Sequence, residues 1–219
     1  MNQLLALMGS LILLLPGAKL GNDFKVIDGD TLELAQDSQK VRILGINTPE
    51  RGERCYEESK EELGYLLNES VELKRDISNR DKYGRLLRHL FFGKNLLQEK
   101  MVRDGYAKVM CVWPNQIYCE QLMKLELSAV NEGRGCLFKK SNNTCLKITD
   151  VDCGGSWFKI QNTCKIEFVN ILAENRGRDK VKISLKPFEN KTVHIRLFKK
   201  DAVYLFDDFG LIDFEPCSP

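Results

Sequence analysis

Val26-Ile27-Asp28-Gly29-Asp30-Thr31, then Val41-Arg42-Ile43-Leu44-Gly45-Ile46-Asn47-Thr48-Pro49-Glu50, then Asp81-Lys82-Tyr83-Gly84-Arg85-Leu86-Leu87 are the segments that decide the fold. Apolar and β-branched residues stop at Asp28-Gly29-Asp30, a turn-forming triplet, and resume at Thr31, Leu32 and Leu34; this reads as a hairpin. Val41 to Ile46 reads as a third strand, stopped by Pro49, and Val71 to Lys74 and Leu86 to Phe92 as two more. Tyr56 to Leu67 has helical spacing, with Ser59, Leu63, Leu66 and Leu67 on one face and Glu57, Glu58, Glu61 and Glu62 on others. Leu96 to Arg103, closed by Gly105, and Ile117 to Glu132, closed by Gly133, read as two further helices. The expectation is a β-rich α+β fold: a five-stranded barrel of the OB type with three helices over residues 23–139.

Beyond position 139 the character changes. Lys140 to Asn143 is a polar link, and Lys165 to Ile171, Val181 to Leu185, Val193 to Leu197 and Val203 to Phe206 read as strands. Residues 144–219 are expected to form a small β-sandwich-like domain, of a size that usually needs covalent staples. The run Ile166 to Leu185 resembles lamin-tail-type sandwiches. Trp157, Phe158, Phe168 and Phe188 read as core, and this half offers no legible constellation for chemistry.

The formal net charge is only +2. Any contact with nucleic acid must therefore use a local patch rather than a global field. Lys74, Arg75, Arg80, Lys82, Arg85 and Arg88 offer such a patch, set against Asp76 and Asp81. Leu4 to Pro16 is an apolar run ending in Pro16-Gly17-Ala18. It is short for a membrane span and fits a secretory signal over residues 1–20, an uncleaved N-terminal anchor and a buried helix being the alternatives. Eight cysteines behind such a segment favour disulfides in an oxidising compartment, so the protein is expected to be secreted or extracytoplasmic. No C-x-x-C pair occurs, which argues against structural zinc, and the disulfide pairing stays open. A membrane or cell-surface association through the N-terminus is the accompanying possibility. No small-molecule cofactor and no obligate protein partner are signalled.

Carboxylates beside a turn with arginines near them are what a metal-assisted phosphodiesterase needs. Calcium takes oxygen ligands, and guanidinium groups bind phosphate bidentately. The three quoted segments, in that order and at that spacing, resemble the staphylococcal-nuclease (thermonuclease) family, as does Val102-Arg103-Asp104-Gly105-Tyr106-Ala107-Lys108-Val109; the resemblance covers residues 23 to 137. It implies an OB barrel that hydrolyses phosphodiester bonds in single-stranded DNA or RNA with calcium, leaving 3′-phosphates. It implies Asp30 as the carboxylate ligand of the ion and the carbonyl of Thr48 as another. Glu50 would orient the attacking water, and Arg42 and Arg85 would stabilise the transition state. Lys82 and Tyr83 would contact substrate, and Trp113 would pack on a base. Asp28 shapes the turn rather than ligating. The family's second aspartate is Asn47 here, which brings oxygen without charge and so implies weaker calcium binding. Cys111 replaces an aromatic residue near the pocket, with Cys55 and Cys119 as candidate partners. A binding module that has lost catalysis is the competing reading.

Overall fold

The computed structural model describes residues 19–20, 24–68 and 70–217. The expected signal or anchor lies, up to residue 18, outside the described residues, and among these no helix is long and apolar enough to cross a membrane. The N-terminal half runs β1 (Lys19–Leu20), β2 (Phe24–Asp28), β3 (Thr31–Leu34), β4 (Lys40–Ile43), β5 (Gly45–Asn47), α1 (Tyr56–Leu66), β6 (Val71–Lys74), β7 (Leu86–Phe92), β8 (Asn95–Leu96), α2 (Leu97–Arg103), β9 (Lys108–Met110), α3 (Cys119–Glu132) and α4 (Gly135–Phe138). The strand order is β1-β6-β7-β4-β3-β2, with β8 on β7 and with β5 paired to β9. All these pairings are antiparallel except β4 with β7. This is a β-rich OB-type barrel.

Three details differ from the sequence reading, the first being that the N-terminal half of the described residues holds nine short strands, β1–β9, where five were expected. The single strand expected over Val41 to Ile46 divides at Leu44, because Gly45 takes a φ of 81° that redirects the chain toward β9. A Cβ at Gly45 would also stand 2.8 Å from Leu122 of α3, so the bend and the close helix approach both need glycine. The described residues hold four helices rather than three; α4 is a single turn directly after α3. The apolar stripe of α1 behaves as its spacing predicts: Ser59, Leu63 and Leu66 are buried. Leu63 joins Leu32, Val41, Ile43, Ile46, Leu90 and Leu97 in the barrel core.

The C-terminal half runs β10 (Leu146–Asp152), β11 (Trp157–Asn162), β12 (Phe168–Asn175), β13 (Lys180–Leu185), β14 (Asn190–His194), β15 (Ala202–Phe206) and β16 (Leu211–Pro216). A three-stranded sheet, β10-β11-β14, and a four-stranded sheet, β13-β12-β15-β16, share a core that includes Ile148, Phe158, Ile160, Ile171, Ile183 and Leu205. The strand expected from Lys165 starts at Phe168 instead. The Asn162 amide donates to the carbonyls of Ile166 and Lys186, each at 2.8 Å, and holds the chain as a loop there. The disulfides pair Cys55 with Cys136, Cys111 with Cys119, Cys145 with Cys164, and Cys153 with Cys217.

The halves are fused by a third cluster, in which Ala129, Val130, Leu137 and Phe138 meet Ala202, Tyr204, Phe206 and Leu211. The polar link is itself pinned: Leu211 N–H donates to Lys139 at 2.8 Å, and Ser141 N–H to Leu211 at 2.9 Å. Buried charge crosses the same boundary. Glu126 on α3 is fully buried and accepts from Arg176 Nε at 2.8 Å, from the Tyr204 hydroxyl at 2.6 Å and from Val109 N–H at 2.7 Å. Lys108 Nζ lies 2.8 Å from Glu174, which Lys180 also approaches at 3.2 Å. Burial pushes the Glu174 carboxyl up, but Lys108 and Lys180 more than offset this and hold it below the ordinary carboxylate value.

Removing one partner of a buried pair leaves the other uncompensated, so Glu126→Ala should lower unfolding stability by about 3–5 kcal/mol. A urea midpoint equal to wild type would contradict the assignment of this pair as the joint. A carboxyl whose folded pKa is depressed contributes stability that is complete above its unfolded value, about 4.3, and that disappears as pH falls through the folded value. Glu174→Gln should therefore flatten the loss of stability below that pH. Denaturation curves with the same acid slope in both proteins would refute it.

Candidate functional site

The turn after β2 builds the first part of the site. Asp28 Oδ1 accepts the N–H of Asp30 at 3.1 Å and closes the turn. Gly29 is packed so closely that a Cβ would stand 2.8 Å from the Thr48 side chain. Asp30 is buried: Oδ1 accepts the Thr31 hydroxyl at 3.0 Å, and Oδ2 accepts Thr48 N–H at 3.1 Å. Burial, and next the neighbouring Asp30 charge, push the Asp28 carboxyl above its ordinary value.

Arg42, on β4, points inward at Asp30. Its Nη2 lies 2.9 Å from Asp30 Oδ2 and donates to the Ile46 carbonyl at 2.8 Å, while Nη1 donates to the Ile43 carbonyl. Burial lowers the Arg42 pKa, Asp30 opposes this, and the charges of Arg85 and Arg178 lower it further. Three guanidinium groups therefore act on one small region. Arg85 is oriented by Asp81, whose Oδ2 takes Nε at 2.7 Å and whose Oδ1 takes the N–H groups of Tyr83 at 2.9 Å and Arg85 at 3.0 Å. Burial raises the Asp81 carboxyl, but these hydrogen bonds outweigh it and hold the group low. Tyr83 is 73% exposed and presents its ring to Arg85, 5.7 Å from the guanidinium, and to Lys82 Nζ at 5.0 Å.

Asn47 ends β5 and touches the other half of the chain. Its Nδ2 donates to the carbonyls of Gly177 at 2.9 Å and Arg176 at 3.4 Å. Those two acceptors fix the amide orientation and turn Oδ1 away. That buried oxygen accepts no hydrogen bond, the one such orphan among the described side chains. A hard divalent cation takes oxygen ligands, and a buried carbonyl oxygen left without a donor is suited to one. The oxygens that Asp30, Asn47 and Thr48 offer include a single carboxylate, whose own oxygens accept the Thr31 hydroxyl and Thr48 N–H and face Arg42; by donor type the set suits a hard cation with little ligand charge. No group of three or more acidic, histidine or cysteine side chains that could hold a metal exists among the described residues.

Glu50 is exposed and lies 2.7 Å from Arg178 Nη2, a residue of the β12–β13 turn. A cleft of about 1060 Å³ opens here, lined by Asn47, Thr48 and Glu50 on one side and Gly177, Arg178 and Lys182 on the other. The structure thus gathers Asp30, Arg42, Asn47 and Thr48, sets Glu50 on the rim, and links Lys82 and Tyr83 to Arg85. It does not tie in Trp113, which is 82% exposed on the Val112–Asn115 turn, with no described contact to the others. Arg88 leaves the basic patch: it is buried, and Nη1 donates to the Leu87 carbonyl at 2.7 Å. Arg178 was missed from sequence. Its signal is Asn175-Arg176-Gly177-Arg178-Asp179, a basic turn between two β-prone runs, but nothing in the string says what that turn faces.

The family model of the staphylococcal nuclease homologue matches residues 40–136. The thermonuclease of Staphylococcus hyicus is 31% identical over 117 residues, covering 48% of this chain and 68% of that protein. The thermonuclease of Staphylococcus intermedius is 32% identical over 106 residues, 43% of this chain and 61% of that protein. Endonuclease YncB of Bacillus subtilis strain 168 is 31% identical over 144 residues, 56% of this chain and 66% of that protein. The chain thus spans about two thirds of the length of these relatives. The family match ends before β10 and excludes the turn that carries Arg178.

Proposed function

The chain belongs to the staphylococcal nuclease homologue family, and from that premise we propose that it is an exported, metal-dependent nuclease that hydrolyses phosphodiester bonds in single-stranded DNA or RNA. The observation that carries the reading is the buried Asp30–Arg42 pair at 2.9 Å, with Thr48 N–H on the same carboxylate and an unpartnered buried oxygen on Asn47, the residue before Thr48. A buried ion pair at a turn and an orphaned oxygen are features that sites show more often than ordinary cores do. Both features suit a phosphate and a cation. Four disulfides support folding in an oxidising compartment.

Asp30, Asn47 Oδ1 and the Thr48 carbonyl would hold the ion, with calcium the first candidate. When bound, the ion supplies positive charge that offsets the negative charge growing on the phosphate. Arg42 and Arg85 bind phosphate oxygens and strengthen their hold as charge develops there. Arg42 is held in place by Asp30 and by two backbone carbonyls, and Arg85 by Asp81, so little reorganisation remains for the reaction. Glu50 orients the water that attacks phosphorus and takes its proton, while the P–O5′ bond breaks and the departing 5′ oxygen takes up a proton from solvent. Lys82 adds a phosphate contact, and the exposed Tyr83 ring packs on a nucleotide. Trp113 is available as a second stacking surface.

The test is cleavage of a single-stranded oligonucleotide by the purified protein, with calcium and with chelator. Because the donor set carries one carboxylate, half-maximal activity is expected at weak calcium affinity, on the order of 10⁻⁴–10⁻³ M. Activity that persists in chelator would refute the metal requirement. Arg85→Ala, which leaves the buried Asp30–Arg42 pair intact, should lower kcat by about 10²–10³-fold. Glu50→Gln should lower it by about 10²-fold or more. Intact oligonucleotide at every calcium concentration, with binding retained, would favour the non-catalytic module instead.

A further inference from the structure

The chemistry proposed above uses only the barrel, yet a side chain of the other half stands at its rim. Arg178 occupies the turn between β12 and β13 and reaches Glu50 at 2.7 Å. The turn is not loosely placed. Asn47 grips the carbonyls on its two preceding residues, Arg176 and Gly177. Arg176 is anchored in Glu126, and its N–H donates to Asp201 Oδ1 at 2.9 Å. Glu174, one strand position further back, is held by Lys108. Arg178 itself remains 57% exposed as a side chain, so it is anchored at the root and solvent-accessible at the tip, where it meets Glu50. It lies in the wall of the cleft that Asn47, Thr48 and Glu50 line from the barrel side.

From this placement we infer that Arg178 is a substrate-binding residue of the barrel's site, supplied across the domain boundary, which releases Glu50 and grips a phosphate of the bound single strand. The inference rests on the nuclease reading for its substrate class. A carboxylate and a phosphate are interchangeable partners for a guanidinium fork. An exposed ion pair such as Arg178–Glu50 is weak enough to be exchanged when a strand enters. The exchange has two consequences: it frees Glu50 for water, and it adds a third guanidinium to those of Arg42 and Arg85.

The test compares wild type, Arg178→Ala, Arg178→Lys and a charge control, Lys147→Ala, which removes an exposed lysine from the sheet on the far side of the sandwich core. Affinity for a single-stranded oligonucleotide is read by fluorescence anisotropy in chelator, and kcat and KM are read separately with calcium. Arg178→Ala should weaken binding and raise KM about 10- to 100-fold. It should also lower the salt slope of log affinity by about 0.7, the increment of one single-strand phosphate contact. Arg178→Lys should recover part of the affinity, and Lys147→Ala should match wild type. Wild-type affinity, KM and salt slope in Arg178→Ala would overturn the inference while leaving the nuclease reading intact. A raised kcat at unchanged KM would also overturn it, assigning Arg178 to restraint of Glu50 alone. If the wild type binds the strand without cutting it, the nuclease reading falls and the anisotropy comparison still decides on Arg178. If it neither binds nor cuts, both fall.

Discussion

The buried contact between Glu126 and Arg176 is the constraint on which the rest of this molecule depends. Glu126 belongs to the last long helix of the barrel and Arg176 to the turn that follows β12, and neither could be buried alone. Each is saturated. Glu126 takes donors from Arg176, Tyr204 and Val109, and Arg176 also donates to the carbonyls of Lys200 and Asp201. Burial, with Glu126 next, pushes the Tyr204 hydroxyl well above its ordinary pKa, so it stays a donor to that carboxylate. Such a network adds little net stability over an apolar alternative, but it tolerates only one arrangement of its members. Fixing Arg176 fixes Gly177 and Arg178 beside it, and these are the residues that meet the candidate site.

This coupling explains the residue that looked most like a defect. A carboxylate at position 47 would face the carbonyls of Arg176 and Gly177 with no proton to give. Asparagine donates to both and still leaves one oxygen free. The charge given up toward a cation is thus exchanged for a joint to the neighbouring half. The same joint makes the second half inseparable from the first: without it, Ala129, Val130 and Phe138 would lose their cover.

Much of the barrel was legible because its signals are local. The hairpin about Gly29 follows from turn chemistry, and the buried face of α1 from spacing. The break at Leu44 was not, since Val41 to Ile46 is continuous in apolar character and only the approach of Leu122, far along the chain, forces Gly45 to bend. In the second half, β10, β11 and β16 escaped notice because charged residues interrupt their alternation: Lys147 and Asp150 in one, Lys159 in the next, Asp213 and Glu215 in the last. Lys147, Asp150, Lys159 and Glu215 face water on sheets buried on one side only, while Asp213 accepts the Ile148 N–H, so the pattern is diluted rather than absent. Within the candidate site, Asp30, Arg42 and Arg85 could be singled out because they fall in three ordered segments that resemble a known family. Arg178 could not, because its relation to Glu50 is a long-range one that no spacing rule encodes.

The charge balance around Asp30 follows from these choices. One buried carboxylate there is matched by Arg42, and Arg85 and Arg178 add positive charge that reaches Arg42 through the same region. Like charges held together raise the energy of the empty site and are relieved by an anion. On the proposed reading a cation would meet one carboxylate, a neutral amide oxygen and a carbonyl, near guanidinium groups. That balance would move phosphate neutralisation from the ion toward the arginines. An ion-dominated site would need acids where this chain has Asn47, and those acids would repel both the incoming phosphate and the carbonyls of the docked turn. Recruiting positive charge from the second half resolves both conflicts at once, because the turn that requires an amide at position 47 is the turn that carries Arg178.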